Sequence, residues 1–155
     1  MLRDIAQRQK QNKITTFYVC VGPPRPNTFV NSPAAESVWL GYYAAANVFD
    51  GFLRWAFTNW PRDPLYDTSF GSWPAGDTHL IYPGPRSSIR WELLREGIEE
   101  AEKLRLLRQR APLPSALTAA LEAFKSPQNL GHENNVIAQV EAARAAVQET
   151  ARGLR

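Results

Sequence analysis

Two short runs of β-branched and aromatic residues, separated by a helical stretch, restrict the fold of this chain most strongly. The first run, KITTFYVCVG, covers residues 13–22, and the second, FLRWAF, covers residues 52–57. Between them, AAESVWLGYYAAANV at residues 34–48 has a helical composition, and Ser32 and Pro33 before it have the pattern of an N-cap followed by proline at the first helical position. The order strand, helix, strand favours two parallel strands joined by a crossover helix. The predicted fold class is therefore α/β.

Helices are predicted on both sides of this unit. One short helix covers residues 2–11, and a long helix covers residues 88–110 with an apolar stripe at Leu94, Ile98, Ala101 and Leu104. Two further helices follow, one within residues 113–124 and a last one whose stripe consists of Val136, Val140, Ala143 and Val147. The short connection between these two predicts an antiparallel helical pair.

The loop after the second strand is the strongest functional candidate. TNWPRDPLYDTSFGSWPAGD, residues 58–77, is about twenty residues long, and loops of this length within a compact domain are usually functional. It also follows the carboxyl end of a predicted parallel strand, where α/β folds bind their ligands. Aromatic residues alternate here with polar ones, which suits a sugar that stacks on a ring and hydrogen-bonds to a polar rim. An equally acceptable interpretation is that the rings seal the end of a barrel or cover a hydrophobic edge.

Several classes of site find no support in the sequence. The single cysteine, Cys20, permits neither a disulfide framework nor a cysteine-based metal site, and its apolar surroundings predict a buried thiol. His79 and His132 have no further ligands at metal-binding spacings, so no metal is expected. No phosphate-binding glycine loop and no Gly-x-Ser-x-Gly motif is present, so neither a nucleotide cofactor nor a serine nucleophile is predicted. No cofactor is expected.

Charge and hydropathy limit the partners further. The net charge is +3, and the basic residues are spread along helices rather than clustered, which argues against nucleic-acid binding. The amino-terminal MLRDIAQRQKQNK is charged and lacks an apolar core, so this chain is expected to have no signal peptide, no membrane span and no membrane partner. The localisation of a longer parent protein stays open, with secretion or a periplasmic location among the alternatives.

Two segments resemble the carboxyl-terminal part of the family-123-type glycoside hydrolase catalytic domain. They are NTFVNSPAAESVWLGYYAAANVFDGFLRWAFTNWPRDPL at residues 27–65 and WPAGDTHLIYPGPRSSIRWELLREGIEEAEKL at residues 73–104, and the resemblance covers roughly residues 15–107. It implies a (β/α)8 barrel in which residues 14–22 form the seventh strand, residues 51–57 the eighth, and the helix from Ser88 closes the ring. A complete barrel needs about 200 to 250 residues, so the chain is expected to be a barrel fragment, either cut from a longer product or truncated. Residues 1–111 would be this barrel part and residues 112–155 a helical hairpin.

The resemblance also implies an activity. Characterised members are exo-acting β-N-acetylgalactosaminidases that use substrate-assisted catalysis, in which the 2-acetamido oxygen attacks the anomeric carbon. One carboxylate orients that group and an adjacent one is the general acid and base, which sets these enzymes apart from the scheme with an enzyme nucleophile. The family pair is an Asp-Glu dipeptide, and this sequence contains none. The chain is therefore expected to be inactive alone while retaining contacts to an N-acetylhexosamine-containing glycan.

Five residues are the predicted substrate-binding set, and no catalytic residue is assigned. They are Tyr18 on the first strand, Trp55, Asn59 and Trp60 at and after the end of the second, and Asp77 in the loop. Asp77 would bind a sugar hydroxyl or tie the loop to its own backbone as an Asx-turn. Arg54 and Trp55 alternate along the strand, so if one points into the barrel the other faces the helices. A buried Arg54 would need a carboxylate partner, Glu92 or Glu96. The alternative function is a non-catalytic carbohydrate-binding or protein-interaction module, and the open strand edges predict self-association.

Overall fold

A two-stranded parallel sheet lies against a set of helices in the computed structural model, which describes residues 2–84 and 86–154. The strands pair in register, Thr16 opposite Gly51 and Tyr18 opposite Leu53. The elements are α1 (Leu2–Lys10), β1 (Thr16–Tyr18), α2 (Ala35–Ala46), β2 (Gly51–Leu53), α3 (Ile89–Arg110), α4 (Ser115–Glu122), a 3-10 turn (Pro127–Asn129) and α5 (Glu133–Gly153). The predicted α/β class and the parallel pairing through a crossover helix are confirmed.

The larger apolar core lies among α2, α3, α4 and α5. The ring of Phe124, after α4, packs on Trp39 and Tyr42 of α2 with centroid distances of 5.5 and 4.8 Å. The Trp39 indole N–H donates to Oε1 of Gln139 on α5 at 2.9 Å. Because α2 contributes to the same cluster as α4 and α5, the carboxyl-terminal helices share their core with the preceding residues.

Helices α2 and α3 approach each other at two glycines. A Cβ atom on Gly41 would lie 2.0 Å from the carbonyl oxygen of Gly97, and one on Gly97 would lie 2.9 Å from that of Val38. Backbone therefore packs directly on backbone at this crossing. This also corrects the predicted stripe of α3, since Ile98 is 52 % exposed. The buried face instead runs through Leu94, Gly97, Leu104 and Leu107.

A second, smaller core lies between the strands and the helices. It contains Val19, Leu40, Leu80 and Leu94, with Phe17 and Phe52 packed against it. The opposite face of the strand pair is uncovered, because Tyr18 and Leu53 are 45 and 53 % exposed there. The alternation of side chains along a strand explains this division into two faces.

Both strands are shorter than the sequence predicts. The Cys20 carbonyl, which would extend β1, accepts a hydrogen bond from Nδ2 of Asn27 at 2.7 Å instead. Past β2, the Phe57 carbonyl accepts from the backbone N–H of Leu80 at 2.9 Å, so the chain pairs with a later segment rather than continuing beside β1. β1 thus ends where a side-chain amide binds its next carbonyl, and β2 ends where the chain pairs with the loop.

Two local predictions have different outcomes. Ser88 caps α3 by accepting from the Trp91 N–H at 3.2 Å, as the start predicted near residue 88 requires. Ser32 does not cap α2, which begins at Ala35 after an Ala34 cap. The Ser32 hydroxyl instead accepts from the N–H of Phe29 at 3.1 Å and closes the preceding turn. The prediction of Ser32 as N-cap was wrong because a nearer donor competes for its oxygen.

Candidate functional site

The candidate site lies where β1 and β2 end, under the loop that returns through residues 73–82. The loop is not structureless: Thr58 and His79 form an antiparallel bridge, and the Asn59 N–H donates to the Thr78 carbonyl at 3.1 Å. Gly76, with φ of +80°, makes the tight turn directly before Asp77, a conformation that glycine adopts without strain. This turn brings Asp77 back to the end of β2.

An ion pair between Arg54 and Asp77 forms the centre of the site. Nη2 of Arg54 lies 2.9 Å from Oδ1 of Asp77, and both side chains are fully buried. The same nitrogen donates to the Asp77 carbonyl, while Nη1 donates to Oγ1 of Thr28 at 2.6 Å. Burial lowers the pKa of Arg54, and the attraction of Asp77 opposes that shift. The guanidinium is therefore bound by the Asp77 carboxylate, the Asp77 carbonyl and the Thr28 hydroxyl.

The predicted partner of Arg54 was wrong. The predicted partners were Glu92 and Glu96, but Glu92 pairs with Arg95 and Glu96 pairs with Arg144. Both glutamates lie on α3. The partner of Glu92 is on the same helix, and the partner of Glu96 is on α5. Asp77 reaches Arg54 instead because the long loop folds back over the end of β2.

Both oxygens of the Asp77 carboxylate bind side chains rather than the loop backbone, so the predicted Asx-turn does not form. Its second oxygen, Oδ2, accepts the Trp55 indole N–H at 3.0 Å, so Arg54 and Trp55 together occupy both carboxylate oxygens. The carboxylate therefore joins two neighbouring residues of the strand end, one facing the helices and one facing outward.

Exposed tryptophans form the outer surface of the site. The rings of Trp55 and Trp73 lie 5.5 Å apart with an interplanar angle of 43°. Trp60 donates its indole N–H to the Ile81 carbonyl at 2.7 Å, farther along the loop. We call the Trp55 and Trp73 pair the aromatic wall. Such a pair offers apolar ring faces next to polar atoms.

Tyr18 lies at the same end of the strand pair. The neighbouring Cys20 thiol is the main cause that raises the pKa of Tyr18. A backbone hydrogen bond from Gly22 and the Tyr18 hydroxyl lower the pKa of Cys20. Cys20 is partly exposed, so the predicted buried thiol was wrong. It lies just past the end of β1, where the backbone turns away from the small core.

The structure thus brings together three of the five predicted residues. Tyr18, Trp55 and Asp77 share the strand ends, whereas Asn59 and Trp60 contact the segment formed by residues 78–81. Within residues 2–84 and 86–154, no hydrogen bond or ring contact joins these last two to the other three. The sequence analysis missed Trp73 as a site residue. Its place beside the Pro-Ala-Gly-Asp turn was the available signal.

A second buried arginine supports the turn. Nη1 of Arg90 donates to the carbonyls of Thr28 and Gly76 at 2.8 and 2.9 Å. Burial lowers the pKa of Arg90, and burial together with the charge of Arg90 lowers the pKa of His79. His79 is fully buried. Among the described residues no group of three or more His, Cys, Asp or Glu side chains is placed to hold a metal ion.

None of the helices within the described ranges combines the length and the apolar character needed to cross a bilayer.

Comparisons with known proteins agree on one family. The model of the glycoside hydrolase 123 catalytic domain matches residues 1–107. A family 123 glycoside hydrolase from Clostridium perfringens, whose structural analysis concerned glycolipid glycan hydrolysis, is similar with a TM-score of 0.85 and 25% identity. That match covers 99% of this chain but 30% of the Clostridium chain. A search of curated proteins found no match. From its sequence and its architecture, this chain belongs to the family of the glycoside hydrolase 123 catalytic domain.

Proposed function

We propose that this chain is the carboxyl-terminal part of a (β/α)8 barrel in a glycoside hydrolase that acts on glycans ending in a β-linked N-acetylhexosamine. The observation that carries the proposal is the aromatic wall of Trp55 and Trp73 at the carboxyl end of β2, in a chain of this family. In α/β barrels the loops at that end of the strands build the active site. The wall would stack on the apolar face of a sugar, with N-acetylgalactosamine as the first candidate.

The barrel assignment draws support from the uncovered face of the strand pair. Tyr18 and Leu53 point away from the helices, as side chains that line a barrel interior do. The chain spans under a third of the Clostridium enzyme, which leaves the other strands to a longer polypeptide. In this proposal β1 and β2 are the last two strands and α3 closes the ring.

The proposed chemistry is hydrolysis assisted by the 2-acetamido group, and the chain alone lacks the carboxylates for it. No Asp-Glu dipeptide occurs in the sequence. The Asp77 carboxylate is fully buried and bound by Arg54 and Trp55, which leaves it poorly placed to exchange a proton with a glycosidic oxygen. The chain's own contribution is to bind and orient the terminal sugar.

Two measurements on the purified chain test this function. Titration with N-acetylgalactosamine should change the tryptophan fluorescence, and Trp55→Ala should remove most of that change, while Trp91→Phe, whose ring packs on Phe57 at the small core, should not. Incubation with an aryl β-N-acetylgalactosaminide should release no phenol. Absence of binding by the wild-type chain would contradict the sugar-facing wall, and release of phenol would contradict the missing carboxylates.

A non-catalytic carbohydrate-binding or protein-interaction module is the second candidate. The shared core of α2 to α5 favours it, because that core gives the chain an apolar interior of its own. A barrel part and a carbohydrate-binding module both predict sugar binding, whereas a protein-interaction module does not. The two candidates predict different hydrolase activities for a longer polypeptide. A barrel part should become active when the neighbouring segments are present, whereas a non-catalytic module should stay inactive.

Residues 112–155 would form a helical hairpin that packs on the barrel part, residues 1–111. The family match ends at residue 107, before α4 begins. Because Phe124 covers Trp39 and Tyr42, a chain ending at residue 111 should expose both rings and lose stability. Urea unfolding followed by tryptophan fluorescence tests this, and an unchanged midpoint would contradict the packing.

Self-association of the isolated chain follows from its open strands. Each strand has one neighbour among the described residues, and the free edges lie beside the exposed Tyr18 and Leu53. Unpaired edges next to apolar side chains are templates for pairing with a second copy. Light scattering should show a dimer or larger species that Leu53→Lys weakens. A wild-type monomer would contradict this part of the proposal.

A further inference from the structure

Asp77 connects the buried and the exposed parts of the site. Its carboxylate is fully buried, yet Oδ2 accepts the indole N–H of Trp55, a residue that is 41 % exposed. The other oxygen is held by Arg54 at 2.9 Å. A hydrogen bond to an ionised acceptor is stronger than one between neutral groups. An exposed ring of the site is therefore hydrogen-bonded to a fully buried carboxylate.

The backbone around Asp77 is itself fixed. Arg90 binds the Gly76 carbonyl at 2.9 Å and the Thr28 carbonyl at 2.8 Å, so it joins the turn to the segment before α2. A Cβ atom at position 76 would lie 2.7 Å from Nη1 of Arg90, which shows how closely the guanidinium packs against the turn. Arg54 joins the same segment through Oγ1 of Thr28. Asp77 thus has little freedom to move relative to β2.

We propose that Asp77, supported by Arg54, is a positioning residue that holds the Trp55 ring in the orientation that binds the sugar. The inference rests on the proposed function and deepens it. Two contacts define the ring: its N–H is fixed on Oδ2, and one face lies beside Trp73. A ring held in place before binding loses less conformational entropy when the sugar stacks on it. Asp77 itself need not touch the sugar.

Three tryptophans provide a matched experiment. Trp55, Trp60 and Trp73 are 41, 40 and 43 % exposed, so the three residues have similar solvent exposure. Their indole N–H groups differ: Trp55 donates to a carboxylate, Trp60 to a carbonyl, and Trp73 has no hydrogen-bond partner within the described part of the chain. The exchange of the three indole protons with solvent can be measured by NMR and assigned with single Trp→Phe variants. Because the three residues are similarly exposed, differences in exchange rate report the hydrogen-bond partner of each N–H.

In the wild-type chain, Trp55 and Trp60 should exchange about tenfold or more slowly than Trp73, because each N–H must break a hydrogen bond to exchange. Asp77→Asn has one acceptor oxygen, which Arg54 retains, so its amide group would face the Trp55 N–H. Exchange at Trp55 should then approach the rate at Trp73 while Trp60 stays unchanged. Asp63→Asn, an exposed loop residue, is the control that should change none of the three.

Sugar binding provides the second readout. Asp77→Asn should weaken binding of N-acetylgalactosamine by roughly three- to tenfold, the range expected when one ordered side chain becomes mobile. Its circular dichroism should remain that of the wild type. If Asp77→Asn does not fold, the wild-type chain still tests the inference, because exchange at Trp55 as fast as at Trp73 would overturn it.

Each outcome has a defined meaning. Wild-type exchange at Trp55 as fast as at Trp73 would overturn the positioning by Asp77. Release of Trp55 in a folded Asp77→Asn chain with unchanged sugar affinity would overturn its role in binding. Slow exchange at Trp55 in a chain that binds no sugar would support the positioning and overturn the proposed function instead.

Discussion

The helical part and the loop part of this molecule are buried by different means. Among α2 to α5 most of the interior consists of rings and aliphatic side chains in one cluster, with single buried hydrogen bonds such as that from Tyr42 to Glu100. Around the loop it consists of Arg54, Asp77, Thr28 and Arg90, which are joined by hydrogen bonds. Apolar burial stabilises without a preferred direction, whereas buried polar groups must meet their partners in one geometry. The helical part therefore supplies stability, and the loop part supplies a defined arrangement of side chains.

Removal of the central cation should have the largest effect on stability. Arg54→Met should lower the free energy of unfolding by about 3 to 5 kcal/mol, because Asp77 would remain buried without its counter-ion. Urea denaturation measures this. Arg62→Met, at an exposed position of the same loop, should stay within about 0.5 kcal/mol of the wild type. A loss below about 1 kcal/mol at Arg54 would mean that the polar interior tolerates an unpaired charge.

The helical part should be most sensitive where two backbones meet. Gly41→Ala should cost about 3 kcal/mol, because its Cβ would enter the space of the Gly97 carbonyl and force α2 and α3 apart. Thermal unfolding followed by circular dichroism measures it. Gly153→Ala, which has open space around the new methyl group, is the control. Equal melting temperatures for the two variants would contradict the close crossing.

Acid should weaken the loop part through His79. Burial lowers the pKa of His79 below that of an unfolded histidine, about 6.5. Below that pH the unfolded chain binds a proton that the folded chain does not, so stability is full above about pH 6.5 and falls as the pH drops further, by at most about 1.4 kcal/mol per pH unit. His79→Gln should reduce this slope between pH 6.5 and 5, whereas His132→Gln, at an exposed site, should not. Equal slopes would contradict the assignment.

The smallest effect concerns reactivity rather than stability. The Gly22 backbone N–H and the Tyr18 hydroxyl lower the pKa of Cys20, so its thiolate should form at a lower pH than the usual value of about 8.5. The rate of alkylation by iodoacetamide, followed against pH, should have its midpoint below that value. Tyr18→Phe should move the midpoint upward. An unchanged midpoint in Tyr18→Phe would place the hydroxyl away from the thiol.

Local patterns in the sequence predicted the elements well where one residue type decides the outcome. The start of α3 at residue 89 follows from the hydroxyl of Ser88, and the buried stripe Val136, Val140, Ala143 and Val147 of α5 follows from its period. The stripe of α3 was only partly predicted. Ile98 fits the period, but the contact of Gly97 with Gly41 rotates the packed face toward the glycines.

The candidate site was less predictable because its contacts are distant along the chain. Trp55 and Arg54 were expected to face opposite sides, and they do, since side chains alternate along extended backbone. The carboxylate that both of them bind lies more than twenty positions later, past two turns. The choice of Asp77 over Glu92 or Glu96 depends on the path of the loop, which no local pattern encodes.

Local patterns in the chain were enough to predict the α/β class, the parallel strand pair, the bounds of α3 and, through the motifs shared with family 123, the family. These features depend on periodicity, capping and residue order, which act over a few neighbouring positions. Only the tertiary structure decided which charges pair, which tryptophans share a surface and which strand face stays uncovered. A buried charge takes whichever partner the folded chain brings within hydrogen-bond distance, and that distance is a property of the whole fold.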